Sequence, residues 1–265
     1  MKVLILGAGE LASSIAHRLF RTGFAVAMTE MNEPLAIRRA VSFCSAIWDK
    51  EIVVEGVGAR LCETAAFCGR LDHIAVCVDP EATLLKTWRP EVVIDARLLK
   101  VPGATSVAQA PLVISLGPGA VCGTDAHVII ETHRGHNLGR LIEAGSASPD
   151  TGVPGAIGGL TAERVLRAPV AGRVRGNRVI GDQLPAGDLI AWVGDEPVKT
   201  PIAGVLRGIL HDGVLIEART KLADVDPRGE VPACFTLSDK SRTISGAVLE
   251  AILSRFPWSF DAAAV

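Results

Sequence analysis

Tyrosine is missing altogether from this 265-residue chain, and aromatic residues make up only 4% of it. Proteins that grip single-stranded nucleic acid stack bases on aromatic rings, so the composition argues against that class. Charge points the same way: 27 Lys and Arg against 29 Asp and Glu leave a net −2, with no basic excess to meet a phosphate backbone. No apolar run approaches the ~18 residues that a membrane-spanning helix needs. The N-terminus reaches a Gly-x-Gly turn after four apolar residues, too soon for a secretory leader, so a cytoplasmic protein is expected. The six cysteines (Cys44, Cys62, Cys68, Cys77, Cys122, Cys234) include no Cys-x-x-Cys pair and read as reduced and mostly buried. Only Cys122, inside a Gly-rich run, is retained as a candidate reactive thiol.

What is present is α/β patterning. The opening KVLILGAGELASSIAHRLFRTGFAVAMTE reads as strand, tight turn, helix, strand. Val3 to Leu6 is a continuous apolar run, as in a strand buried on both faces. Leu11, Ile15 and Leu19 with Ala12 and Ala16 form a helical stripe. Gly7, Gly9 and Ala12 fit the G-x-G-x-x-A dinucleotide fingerprint, and Glu30 closes the second strand where an acid commonly meets a ribose hydroxyl. Further strands are expected at Ile52–Val57, Ile74–Val78, Val92–Ala96 and Leu112–Leu116, with helices at Ala36–Ile47 and Glu81–Trp88. This alternation predicts a Rossmann-like, mostly parallel sheet over residues 1–110. Asp79, Asp95, Arg97 and Lys100 then fall at strand ends, the edge where open α/β sheets bind ligands; Arg97 and Lys100 suit an anion.

A β-rich second part, residues 111–265, is expected to follow. SASPDTGVPGAIGGL, rich in Gly, Pro and Ser, is a connector or wrapping loop. APVAG at Ala168–Gly172 returns as TPIAG at Thr200–Gly204, each copy followed by a Gly-Asp or Asp-Gly turn. Two short β-rich units suggest a small barrel over 161–230 resembling the biotinyl/lipoyl half-barrel, without a carrier lysine. Asp224, Asp226 and Arg228 read as a lock between barrel and first domain. A capped helix over 238–254 begins at Ser238.

The most polar stretch is DAHVIIETHRGHNLGRLIEAG, preceded by LVISLGPGAVCGT. As a strand, His127 to Thr132 would place His127, Ile129, Glu131 and His133 on a polar face opposite a core-facing Val128 and Ile130. Three residue-level readings stay open. A zinc site is disfavoured by the nearly 7 Å between alternate strand side chains and by the flanking arginines. A pocket for an anionic ligand would use Arg134 and Arg140, with Gly117–Gly119 offering backbone N–H groups. The third reading is simple pairing of these side chains around a buried turn.

The segments GAGELA, DARLLK, GPGAVCGTDAHVIIETHRGHNLGRLIEAG, PDTGVPG, ERVLRAPVAG, RGILHDG, KLADVDPRG and SDKSRTISGAVLEAIL, in this order, resemble the YqeB family of selenium-dependent molybdenum hydroxylase system proteins. The resemblance covers nearly the whole chain and departs at Ala120, Cys122 and Ala218. It implies an accessory protein related to the Rossmann-domain chaperones of xanthine dehydrogenase, with a molybdenum hydroxylase as client. The implied ligand is a molybdenum–pterin cofactor or its nucleotide form, carrying phosphate and a many-edged ring. On that expectation Gly7, Gly9, Gly117 and Gly119 approach phosphates, with Ala12, Glu30 and Asp95 beside them. Arg97, Lys100, Arg134 and Arg140 neutralise charge, and Asp125, His127, Glu131 and His136 orient the ring. No protein-ligated metal is expected, and homo-oligomerisation is left open. The rival expectations are an NAD(P)-dependent oxidoreductase and a non-catalytic scaffold that docks the hydroxylase.

Overall fold

The computed structural model describes residues 1–63 and 72–256, so Cys68 lies outside the described residues. A nine-stranded sheet organises the chain: β1 (Lys2–Leu6), β2 (Ala25–Glu30), β3 (Glu51–Val54), β4 (Val57–Leu61), β5 (Ile74–Val78), β6 (Val92–Asp95), β7 (Leu112–Leu116), β8 (Val128–Ile130) and β9 (Leu141–Ile142). Their order is β3-β4-β5-β2-β1-β6-β7-β8-β9. The pairings from β4 through β8 are parallel, and only β3 and β9, at the two edges, run antiparallel.

Both faces of this sheet are covered, which is why its strands read as unbroken apolar runs. Val3 and Ile5 point into one core with α1 (Glu10–Arg21) and α4 (Asp239–Arg255), while Leu4 and Leu6 point into the other with Leu84, Trp88, Ala120 and Ala126. The helix α1 begins after Gly9 and ends at Thr22, whose hydroxyl and N–H both return to the carbonyls of Arg18 and Leu19. Small residues line its buried side, so α4 lies close: Ser14 Oγ is 3.4 Å from Ser245 Oγ. Ser238 caps α4 by accepting the N–H of Ser241, as its sequence signature predicts.

Several expected elements are replaced. Ile52–Val57 is not one strand: Glu55 (φ 44°) and Gly56 (φ 81°) form the two-residue turn of the β3–β4 hairpin. Ala36–Ile47 is not one helix but two 3₁₀ turns leading into the short α2 (Ala46–Asp49). Tertiary bonds claim the segment, since Ile37 O accepts from Ile209 N at 2.8 Å and Arg39 Nε donates to Ile209 O at 2.8 Å. The helix expected at Glu81–Trp88 shortens to α3 (Leu84–Trp88), because Asp79 takes the N–H groups of Thr83 and Leu84.

The sheet does not stop near residue 110, since β7, β8 and β9 continue it. The second unit comprises β10 (Val165–Arg167), β11 (Gly172–Gly176), β12 (Gln183–Leu184), β13 (Leu189–Val193), β14 (Glu196–Lys199), β15 (Gly204–Ile209), β16 (Leu215–Ile216) and β17 (Lys221–Asp226). They form two four-stranded sheets, β10-β17-β15-β12 and β14-β13-β11-β16, antiparallel throughout and sharing a separate apolar core. Each copy of the repeat leads into a strand, APVAG into β11 and TPIAG into β15. The helix α4 packs back on α1 rather than on this unit. No described helix is long and apolar enough to cross a membrane.

Candidate functional site

The parallel strands deliver most of the expected residues to one edge: Gly7 and Gly9 after β1, Glu30 at the end of β2, Asp95 at the end of β6 with Arg97 just after it, Gly117 and Gly119 after β7, and Glu131 after β8. The glycine turns there are already filled by the chain itself. Ala8 N–H donates to Glu30 Oε2 at 2.9 Å and Met31 N–H to Glu30 Oε1 at 2.8 Å. Gly7 N–H is held by Thr29 O, and Gly117 N–H by Ile130 O. A Cβ on Gly119 (φ +108°) would stand 2.4 Å from Leu99 O, and one on Gly117 2.6 Å from Thr132 Oγ1. At Gly117 and Gly119 the absence of a side chain admits the chain's own Thr132 side chain and 98–101 loop. Ala12 is fully inside α1's packed face.

Arg97 forks onto Asp95, with Nε–Oδ1 at 2.9 Å and Nη2–Oδ2 at 2.8 Å; that bonding holds its own proton more tightly. Lys100 is ion-paired with Asp150. Asp125 is buried, accepting the N–H groups of Gly103 and Val121, so it clips the 98–105 loop to the β7–β8 crossover. Asp95, Ser115 and Asp125 line a shallow crevice, with room for about one water, beside Leu98, Leu99 and Val101.

The polar strand face is also corrected. Ile129 and Ile130 are both fully buried, in different cores, so β8 has no polar face. His127 directly precedes the strand and Glu131 directly follows it, so the two lie at opposite ends of β8. His127 Nδ1 accepts Val113 N–H at 3.0 Å, and burial followed by the Arg255 charge disfavours its protonation. The Cys122 thiol donates to His127 O at 3.1 Å, and burial pushes its pKa up, against a role as nucleophile. Among the described residues no disulfide forms, and no three His, Cys, Asp or Glu side chains gather as a metal site.

What does assemble is the turn after β8. Glu131 is 3% exposed, and its carboxylate accepts His133 N–H at 2.7 Å and Ser148 N–H at 2.8 Å. Burial opposes its charge, yet these donors hold its pKa below the usual carboxylate value. With Gly139 N–H returning to Glu131 O, the turn is fixed against α4, where Gly139 faces Thr243. Its outer side carries His136 and Arg140, both exposed. Arg134 forks onto Asp239 in the first turn of α4 at 2.7 and 2.8 Å, holding the Asp239 carboxyl well below its ordinary range.

Behind this turn lies a polar cluster with no local sequence motif. Glu10, in the first turn of α1, accepts from Ser241 Oγ at 3.1 Å and meets Arg38 Nε at 3.5 Å. Burial resists its ionisation, but Arg38 and Arg207 hold its pKa down. Arg38 also donates to the carbonyls of Arg207, Ala233 and Thr236, tying the sheet to the second unit. Asp224 pairs with Arg164, and Asp226 with Arg228 at 2.6 Å, so these acids lock the second unit internally and the tie between units falls to Arg38 and Arg39. Two sequence features, unused above, mark its members: an acid directly after Gly-x-Gly, and an arginine inside the otherwise apolar strand GVLRGI.

No protein-family model matches the chain. Solved structures with weak likeness include an aspartoacylase family protein from Mesorhizobium loti (12% identity, 84% of each chain, TM-score 0.28) and the ectoine utilization protein EutE (DoeB) from Ruegeria pomeroyi with product bound (13% identity, 84% of each chain, TM-score 0.27). Neither is close enough to bear on fold or function. The protein YqeB of Escherichia coli (strain K12) is 46% identical over 254 residues, which is 95% of this chain and 47% of the relative. The chain thus spans about half the length of the curated relative that it matches. By that identity, carried across nearly all of its residues, the chain belongs to the YqeB family.

Proposed function

We propose that this protein is an accessory factor in the maturation of a molybdenum hydroxylase, and that it holds a molybdenum–pterin cofactor, or a nucleotide form of it, at the C-terminal edge of the large sheet. The family resemblance supplies the pathway. The observation that carries the site is the Glu131-braced turn, which carries Arg134, His136 and Arg140 exposed on one short segment, with Arg134 bonded to the start of α4. We read the large sheet as Rossmann-like and the two small sheets as a biotinyl/lipoyl-like barrel that serves as scaffold.

The donor set fits the anionic part of such a ligand. Arg140 and His136 are exposed, and Arg134 shares an exposed carboxylate that an incoming anion can displace. The phosphate cradle expected at Gly7 and Gly9 fits less well, because Glu30 and Glu10 place carboxylates there. Arg134 and Arg140 would therefore bind the anion and His136 would meet a ring edge, while Glu131 positions all three without touching the ligand. The cofactor would supply its own dithiolene and metal chemistry to the client enzyme; this chain's residues bind and orient it. The same filled turn disfavours the NAD(P) reading.

The test is client activity. Cells whose only copy carries Arg134→Ala with Arg140→Ala should lose molybdenum hydroxylase activity as fully as cells lacking the protein. Undiminished activity at equal protein level would sink the proposal. Client pull-down that survives alongside lost activity separates cofactor handling from mere docking.

A further inference from the structure

Away from the turn after β8, a second group of chemistry-bearing side chains comes together. Cys62 directly follows β4, and His73 directly precedes β5, its parallel neighbour in the large sheet. The chain bends at Asp72 and His73, and Cys62 Sγ lies 3.9 Å from His73 Nε2. On the other side of the ring, His73 Nδ1 is 2.6 Å from Asp72 Oδ1. The order is thiol, imidazole, carboxylate: a nucleophile, a base, and a group that orients the base.

Asp72 sets the tautomer of the ring. Its bond to His73 holds its own carboxyl below the ordinary value, so it is ionised and accepts the Nδ1 proton. That leaves Nε2 with a lone pair for the thiol hydrogen. Cys62 is a free thiol and only half-buried, so a small reagent can meet the sulfur from solvent. Burial raises its pKa, and the Arg60 charge offsets this only in part. The thiol therefore rests protonated and reacts only with a base at hand. The Cys122 pKa is also raised by burial, but its hydrogen points at a carbonyl, which accepts a bond and cannot carry the proton away. An imidazole can.

The geometry also narrows the chemistry. Attack on an acyl carbon puts negative charge on oxygen, which backbone N–H groups would have to meet. The Cys62 N–H is already given to Val76 O at 2.8 Å. Attack on sulfur forms no oxyanion and needs only the thiolate and its base.

We propose that Cys62 is a site of thiol–disulfide exchange with small-molecule disulfides, with His73 as its base and Asp72 as the residue that positions His73. As Sγ attacks one sulfur of the disulfide, its proton passes to His73 Nε2. The S–S bond of the reagent breaks and Cys62 is oxidised to a mixed disulfide. The departing half is reduced and takes the proton from His73, leaving as a thiol. The site does not depend on the pterin reading.

Glutathione disulfide is the probe, added to the full reduced chain, with mass mapping of peptides to separate Cys62 from Cys68 and Cys122. At neutral pH Cys62 should be modified first. His73→Gln should slow Cys62 by about a hundredfold, the low end of what a positioned base contributes. That gap should close as pH rises and the thiol ionises unaided. Asp72→Asn should slow Cys62 by a smaller factor; it stands in if the Gln variant does not fold. Cys122→Ser, outside the group, should leave the Cys62 rate unchanged. Modification of Cys68 or Cys122 ahead of Cys62 overturns the proposal, and so does a Cys62 rate unchanged in the His73 and Asp72 variants. Slowing by one constant factor at every pH would reduce His73 to structural support and overturn it too.

Discussion

The carboxylate of Glu30 reaches back from the end of β2 to accept the N–H of Ala8, 2.9 Å away, in the middle of the Gly-x-Gly turn. In a dinucleotide-binding fold that acid meets a ribose hydroxyl and the turn meets a pyrophosphate. Here the two halves of the fingerprint satisfy each other. NADH titrated to about 1 mM, a weak-binding limit, should therefore give no saturable fluorescence change. Glu30→Ala, which strands the fully buried Ala8 N–H, should cost about 1–3 kcal/mol in urea unfolding. Micromolar NADH binding by the wild type would contradict this assignment.

Gly119 should prove the least replaceable glycine of its loop. An added Cβ would meet Leu99 O at 2.4 Å, at a φ of +108°. Gly119→Ala should lose roughly 3 kcal/mol or more, combining backbone strain with overpacking. Gly123, at φ +86° with open space around it, should lose only about 1 kcal/mol as alanine. Urea midpoints at unchanged m-value make the comparison. Equal losses would mean that close approach of the 98–101 loop is not what fixes the turn.

Glu131 ties acid stability to the candidate site. Its carboxyl is held below the ordinary value of 4.5, so its ionised form stabilises the fold. That contribution is present in full above the unfolded-chain value and is lost as pH falls through the lower folded value. Glu131→Gln should destabilise the protein at pH 7 by about 1–3 kcal/mol. Below the folded value the gap between variant and wild type should narrow. A gap that does not change with pH would mean that bonding to Ser148 and His133 does not depend on the charge.

The sheet was legible because its physics is local. Strands covered on both faces read as apolar runs, and β7 falls on Leu112–Leu116 as its run predicts. The hairpin at Glu55–Gly56 was hidden because Ile52–Val57 is nearly all strand-forming, and only the positive φ angles reveal the turn. Ala36–Ile47 has helical spacing, but Ile37 and Arg39 are spent on Ile209. His127 and Glu131 are near in sequence but flank opposite ends of β8, since a strand separates what a turn would join. The Arg38–Glu10–Arg207 cluster draws its members from three distant segments, so no spacing rule could assemble it.

Whether the Glu131-braced turn holds a molybdenum–pterin cofactor is decided by chemical analysis of protein purified without oxygen from cells that make the cofactor. Pterin-derived fluorescence and molybdenum would be measured for the wild type, for Arg134→Ala with Arg140→Ala, and for His127→Ala. Near-stoichiometric pterin is expected in the wild type and in His127→Ala, where the substitution sits at the opposite end of β8, with little in the arginine variant. A wild type without pterin, or an arginine variant that keeps all of it, would mean that this turn does not hold the cofactor.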